Sequence, residues 1–261
     1  MTVTAKKRFG QNFLMDRHVI ERIIDSFALD ADDSVLEIGP GKGALTDYLL
    51  PGLRHLSVID IDREVIAYLR ARYRDRQNLS LIEWDVLKFD LASLFSTEKK
   101  LRIIGNLPYN ISTPLLFHLL QYCDAISDML FMLQKEVVDR LVALPGQQNY
   151  GRLSVTVGYH ACCEKLFTVK PGSFQPPPKV NSAIVRITPV QPVLAAAEPL
   201  LFSQLVKKAF GQRRKILGNS LKPLADRNQL LKWGFNPGAR AEELSVVDFV
   251  HLCNAVTSDR R

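Results

Sequence analysis

The sequence predicts an α/β fold: a doubly wound, mostly parallel sheet followed by a small all-helical domain. Three observations predict it. Apolar runs alternate with helical patterns from residue 18 to about 187, the rhythm of parallel strands joined by crossover helices. A Pro- and Ala-rich stretch, TPVQPVLAAAEP at 188–199, then reads as a linker. Beyond it the patterns are helical only. The domains expected are therefore residues 1–190 and 199–261, with no internal repeat and no low-complexity segment.

The elements follow in order. VIERIIDSFAL (19–29) has helical spacing, and SVLEIG (34–39) is a buried strand. ALTDYLLPGL (44–53) is a helix broken at Pro51-Gly52. LSVIDID (56–62) is a strand and REVIAYLRARY (63–73) a helix; LSLIEWD (79–85) and LRIIGN (101–106) are strands. TPLLFHLLQY (113–122) is a helix with Thr113 as its expected N-cap and Pro114 at the first position, where a missing N–H costs nothing. DMLFMLQ (128–134) is a strand and KEVVDRLVAL (135–144) a helix. RLSVTVGYHA (152–161) and SAIVRIT (182–188) are read as the late strands, and 200–217, 224–233 and 245–256 as the closing helices.

Composition narrows the function. Hydrophobic residues make up 47%, enough for a sizeable core, so disorder is excluded. MTVTAKKRFGQNFL carries no apolar leader core, and no apolar run reaches transmembrane length, so a cytoplasmic protein away from membranes is expected. Cys123, Cys162, Cys163 and Cys253 form no CxxC pattern; reduced thiols and no metal site are expected. Of the net charge of +7, residues 199–261 hold +6, with 11 Lys and Arg against 5 Asp and Glu. A localised basic excess is the footprint of a polyanion binder, although a solvated basic face gives the same count.

VLEIGPGKGALT (35–46) runs strand, glycine turn, helix. Gly39 and Gly41 let the backbone approach a ligand, and the helix start offers free N–H groups. Asp60 ends the next strand, 19 residues after Gly41, where a carboxylate can bind two ribose hydroxyls. This much fits a nicotinamide dinucleotide or S-adenosylmethionine (SAM). Two features favour SAM. Glu37 inside the first strand suits a cationic, amino-acid-bearing cofactor better than an anionic pyrophosphate. Asp85, from EWDV at the end of the third strand, can accept an adenine amino group. A buried, satisfied Glu37 and a turn-starting Asp85 are the plainer readings of each alone. Their order on three successive strand ends, where such sheets bind ligands, is the more specific signal.

GNLPYNIST (105–113) follows the apolar run LRII. A turn needs Asn and Pro but not Tyr. At a fourth strand end beside a SAM pocket, the Asn106 side-chain oxygen and the Leu107 carbonyl can accept both hydrogens of an exocyclic amine. That draws the nitrogen lone pair out of ring conjugation. Pro108 stiffens the loop, and Tyr109 can stack on a base taken out of its helix. The methyl then moves by in-line displacement, carried by positioning and electrostatics without a dedicated general base. His18, His55, His118 and His251 read as packing residues.

The motifs KKRFGQNFL, EIGPGKGALT, NLPYNIST, LQKEVVDRL, YGRLSV, FQPPPKVNSAIVR and AFGQRRKILGNSL together resemble the small-subunit ribosomal RNA adenine dimethyltransferases. The resemblance implies a Rossmann-like SAM-dependent methyltransferase fold. It implies dimethylation of two adjacent adenines in the 3′-terminal hairpin loop of 16S rRNA, on an immature small ribosomal subunit, by a monomer without metal. By position, Asn12 and Leu14 would close over SAM, with Gly39 and Asp60 at its methionine and ribose ends and Asp85 at its adenine. Asn106 would face both cofactor and target, and Tyr109 and Phe174 would sandwich the target base. Asp60 stands where many family members have Glu, one methylene longer. Lys6, Lys7 and Arg8 in the basic arm, Lys179 in PPPK, and Arg213, Arg214 and Lys215 in GQRRKI are the expected RNA contacts. The related large-subunit enzymes share the Asn-x-Pro-Tyr motif. A DNA adenine methyltransferase, a non-catalytic assembly factor and an NAD oxidoreductase are the remaining alternatives.

Overall fold

The computed structural model describes residues 11–95, 99–212 and 215–260. They divide into two units. One runs to Val138 and resumes at Cys163–Pro189; the other comprises Asp139–Cys162 and Val190–Arg261.

The first unit is built on strand–helix alternation. The strands are β1 (Phe13–Leu14), β2 (Ser34–Ile38), β3 (Leu56–Asp60), β4 (Leu79–Glu83), β5 (Leu101–Asn106), β6 (Ile126–Gln134), β7 (Ala161–Val169), β8 (Phe174–Gln175) and β9 (Ser182–Pro189). The helices are α1 (Arg17–Phe27), α2 (Thr46–Leu49), α3 (Arg63–Arg72), α4 (Ser112–Leu119) and α5 (Lys135–Leu141). Seven strands form one sheet in the order β4-β3-β2-β5-β6-β9-β7. β2 through β6 pair parallel, and β9 lies antiparallel on β6. The order reverses between β2 and β5, so a crevice opens outside the carboxyl ends of those strands.

Local chemistry sets the helix starts. The Asp16 side chain accepts from the His18 and Val19 backbone N–H groups and starts α1, whose buried face is Ile20, Ile23 and Phe27. Asp62 accepts from Glu64 N and starts α3, each cap contributing about 1 kcal/mol. α4 begins at Ser112 with Ile111 at the cap position, so Thr113 is not its cap and Pro114 is its third residue; the Ser112 hydroxyl donates to the Tyr109 carbonyl at 3.1 Å. The buried core packs Phe27, Leu36, Leu49, Leu56, Leu69 and Ile104, all with no exposed surface. At the far end of the strands, Arg102 binds Asp33 at 2.6 Å and Asp128 at 2.6 Å and donates to the Phe27 and Ala28 carbonyls.

The second unit is helical, with α6 (Arg152–Gly158), α7 (Pro199–Ala209), α8 (Leu217–Ser220), α9 (Arg227–Lys232) and α10 (Val246–Asp259). Its core packs Tyr150, Val155, Phe202, Leu205, Leu230, Phe249 and Leu252. Two expectations are corrected here. The Val-rich stretch at 152–161 is not a strand but α6. Val155 and Val157 are both fully buried, so burial on more than one face overrides their β-propensity. The strand lies one step later, at β7. The Pro- and Ala-rich stretch is not a free linker. Its backbone bonds to the Tyr159 hydroxyl from Ala196 N at 2.9 Å and to Asn254 from Ala197 N at 2.7 Å, which fastens it to the second unit. Among the described residues no helix is long and apolar enough to cross a membrane.

Candidate active site

The crevice at the strand reversal holds a cavity of about 280 Å³. The carboxyl ends of β2, β3 and β5, the turn after β4 and the segment Gln11–Leu14 all line it. Its size is at the low end for a small-molecule pocket, about 300 Å³ upwards.

The turn after β2 is made by glycine. Gly39 and Gly41 have φ of +69° and +57°, a left-handed backbone that only glycine adopts freely. A Cβ on Gly41 would also lie 2.8 Å from the Phe13 ring. Glycine here brings the backbone against β1.

Three carboxyl groups, Glu37, Asp60 and Asp85, line the cavity together with the Asn106 amide. Glu37 is 1% exposed, and the Thr46 hydroxyl donates to its Oε2 at 2.6 Å. Burial pushes the Glu37 carboxyl up to about 8, with Asp47 and Asp60 adding to the rise and the Thr46 bond opposing it. At neutral pH the protonated form is therefore favoured. Asp60 ends β3, where its Oδ1 accepts from Asp62 N at 2.8 Å. Asp85 also starts a turn, accepting from Leu87 N at 3.0 Å. Lys88 Nζ stands 4.0 Å from its other oxygen. Asn106 donates through Nδ2 to the Asn12 carbonyl at 3.0 Å. That bond fixes which way the amide points and leaves Oδ1 as the acceptor end.

The loop after β5 is anchored at each residue. Leu107 N donates to the Met132 carbonyl at 3.2 Å, and Pro108 accepts from Ile111 N at 3.2 Å. The Tyr109 hydroxyl bonds the buried Ser182 hydroxyl on β9 at 2.7 Å, and burial holds its phenol above the ordinary value. Leu107, Pro108 and Tyr109 all line the cavity.

The structure thus brings Asn12, Leu14, Glu37, Gly39, Gly41, Asp60, Asp85 and Asn106 to one cavity with the Asn-Leu-Pro-Tyr loop. Phe174 pairs with Leu14 across the β1–β8 ribbon and is 5% exposed, packed in one cluster with Phe13 and Leu14, two residues that line the cavity. Lys179 and Lys215 are exposed. Lys6, Lys7, Arg8, Arg213 and Arg214 lie outside the described residues.

Several participants carried no signal of their own in the sequence. Thr46 and Ser182 are the partners of Glu37 and Tyr109. Phe13 lies under Lys42, with Nζ 5.0 Å from the ring centre. Gln11 reaches Asp62 at 3.4 Å; Asp60 and Asp62, alternating at a strand end, were the visible hint. Ile61 and Val86 add apolar surface beside the two carboxylates. Among the described residues no three His, Cys, Asp or Glu are grouped to hold a metal ion.

Comparison with known proteins gives consistent matches. The family model described as ribosomal RNA adenine dimethylase matches residues 2–258. A ribosomal RNA small subunit methyltransferase A of Pseudomonas aeruginosa is 51% identical, covering 96% of this chain and 94% of its own. The protein of the same name from Aromatoleum aromaticum is 49% identical, covering 97% and 95%. Among solved structures, a dimethyladenosine transferase from Plasmodium falciparum superposes with a TM-score of 0.75 at 28% identity, over 92% of this chain and 95% of that one. The 23S rRNA methyltransferase ErmE superposes with a TM-score of 0.73 at 25% identity, over 94% and 100%.

Proposed function

The chain belongs to the ribosomal RNA adenine dimethylase family, and from that premise we propose that it dimethylates the N6 amines of two adjacent adenines in the 3′-terminal hairpin loop of 16S rRNA, with SAM as donor. The substrate is an immature small ribosomal subunit, met in the cytoplasm by a monomer. Identity of about half with small-subunit relatives over nearly the whole chain, against 25% with the 23S enzyme, favours the small subunit.

The single observation that carries the chemistry is the Asn106 amide, tethered at its nitrogen and placed at the cavity beside Leu107, Pro108 and Tyr109. The residues present fit SAM. A buried acid suits its cationic methionine end, the glycine turn admits its backbone, and Asp60 and Asp85 suit ribose and adenine. When bound, SAM would supply an electrophilic methyl group, the electron pair of its methyl–sulfur bond staying on sulfur in the departing S-adenosylhomocysteine. Asn106 Oδ1 and the Leu107 carbonyl accept the two amine hydrogens and free the nitrogen lone pair to attack. Pro108 keeps both acceptors on one loop. Tyr109, locked through its hydroxyl, offers a ring face to the flipped base. After transfer the nitrogen carries a surplus proton, which leaves to water. Preorganisation of the acceptors is the main contribution. The second methyl follows by the same route, since one amine hydrogen remains.

RNA phosphates are held by Lys179 and Lys215, and by Lys6, Lys7, Arg8, Arg213 and Arg214, the basic residues of the motifs.

The test is methyl transfer from SAM to small subunits lacking the modification, with large subunits alongside and product nucleosides resolved by mass spectrometry. Dimethyladenosine in 16S rRNA alone is expected. Product only in the large subunit would overturn the substrate while keeping the chemistry. SAM binding without product in either would leave a binding role in assembly.

A further inference from the structure

The glycine turn is held from behind by side chains that do not line the cavity. Arg72, in the last turn of α3, donates through Nη1 to the Lys42 carbonyl at 3.1 Å and through Nη2 to Asp47 at 2.6 Å. Tyr73, the next residue, donates to the other Asp47 oxygen at 2.6 Å and lies 3.5 Å from the Gly43 carbonyl. The Tyr68 hydroxyl accepts from Arg72 at 3.0 Å. None of Asp47, Tyr68, Arg72 and Tyr73 lines the cavity, whereas Gly41 and Lys42 do.

We propose that Arg72 and Tyr73, joined through Asp47, are positioning residues that hold the turn Gly41–Gly43 ready for the methyl donor before it binds. This rests on the cavity being the donor site. Three features support it. Both glycines of the turn have positive φ, Gly41 at +57° and Gly43 at +84°, and Gly39 just before it has +69°, so left alone the turn samples many conformations, and ordering it would weaken binding. A Cβ on Gly43 would lie 2.5 Å from the Tyr73 hydroxyl; that hydroxyl fills the space a side chain would take. Asp47 is also the neighbour of Thr46, which holds Glu37. The four-residue helix α2 therefore ties the brace to the buried acid. α3 meets the site at both ends, through its cap Asp62 near Asp60 and through Arg72 at the glycine turn.

A surface ion pair is the plainer description, since Arg72 and Asp47 are each 38% exposed and such pairs contribute little. Two features go beyond it. Arg72 divides its two terminal nitrogens between a carboxylate and a backbone carbonyl. Tyr73 is half-buried, and burial together with Asp47 pushes its phenol far above the ordinary value, so it remains the donor at every working pH.

The test compares wild type, Tyr73→Phe, Arg72→Met and Arg72→Lys. Calorimetry with S-adenosylhomocysteine, steady-state kinetics and amide exchange over residues 41–47 of the ligand-free protein are measured. Tyr73→Phe and Arg72→Met each weaken ligand binding about fivefold to tenfold, the scale of one lost hydrogen bond. The KM for SAM rises in step, while kcat at saturating SAM and the KM for RNA stay within about twofold, and amide exchange at the turn accelerates. Arg72→Lys, which keeps a donor for Asp47, recovers part of the affinity. Unchanged affinity and exchange in Tyr73→Phe, a variant that removes one oxygen, would overturn the proposal. So would a loss of kcat with KM unmoved. If wild type itself fails to bind the ligand, the donor-site reading falls, and unaltered exchange at the turn then decides against the brace separately.

Discussion

Replacing Glu37 with Gln removes one ionisable proton site and little else, because Gln matches the protonated acid in shape and still accepts the Thr46 hydroxyl. In the native protein the Glu37 carboxyl is raised from 4.5 to about 8 by burial. The folded state therefore binds more protons than the unfolded chain between those values, and stability falls as pH rises through that window. Each unit is about 1.4 kcal/mol, so from pH 5 to pH 8 wild type loses about 4 kcal/mol that Glu37→Gln does not. All other titrations are common to both proteins and cancel in the difference. Urea unfolding at pH 5, 6, 7 and 8 measures it. A Trp233→Phe background leaves Trp84 to report the first unit alone, so each transition belongs to one unit. The two proteins should be nearly equal at pH 5 and diverge steadily above it. Parallel curves would show that Glu37 is ionised in the fold and would refute the reasoning. A second readout follows: binding of a cation beside Glu37 draws its proton off. Calorimetry of SAM binding at pH 7, in buffers of different ionisation enthalpy, should find close to one proton released by wild type and none by Glu37→Gln.

Asn106→Ala should bind S-adenosylhomocysteine within a few-fold of wild type and lose about a hundredfold or more of methyl transfer, measured with tritiated donor; wild-type turnover would remove its role. Gly105→Ala places a Cβ on the Ile38 carbonyl oxygen, which parts β2 from β5 and should lower stability by about 1–3 kcal/mol by urea titration. Arg102→Met leaves Asp33 and Asp128 without their half-buried partner and should lower stability by about 3–5 kcal/mol. Arg213→Ala together with Arg214→Ala should reduce the slope of log affinity for RNA against log salt by about 2, and an unchanged slope would move the RNA surface elsewhere.

Much of the cavity lining was legible because its sequence signal is local. In this fold a strand, a glycine turn and a helix start put Glu37, Gly39 and Gly41 within a few residues of one another. Asp60 and Asn106 each close a strand and Asp85 follows one by two residues, and strand ends are where an open parallel sheet gathers its ligands. Charge counting along the chain likewise needed no coordinates. α6 was misread for the opposite reason: its valines have the local preference of a strand, and only the packing of the second unit makes them helical. The surroundings of Phe174 were not legible either, because a two-residue strand has no alternation from which to read its face. Its neighbour in register, Leu14, lies 160 residues earlier in the chain.

The amino-acid sequence by itself determined the class of fold, the glycine turn after the first sheet strand, the Asn-Leu-Pro-Tyr loop and the basic character of the last quarter. Tertiary structure alone decided their states and orientations. It buried Glu37 so that it keeps a proton, turned the Asn106 amide by the carbonyl of Asn12, and locked Tyr109 on Ser182. It also set Arg72 and Tyr73 behind the glycine turn. The physical reason is common to these cases. A proton affinity or a rotamer depends on what lies within a few ångströms, and here those partners come mostly from distant points of the chain, 94 residues away for Asn106 and 73 for Tyr109, where no periodicity connects them.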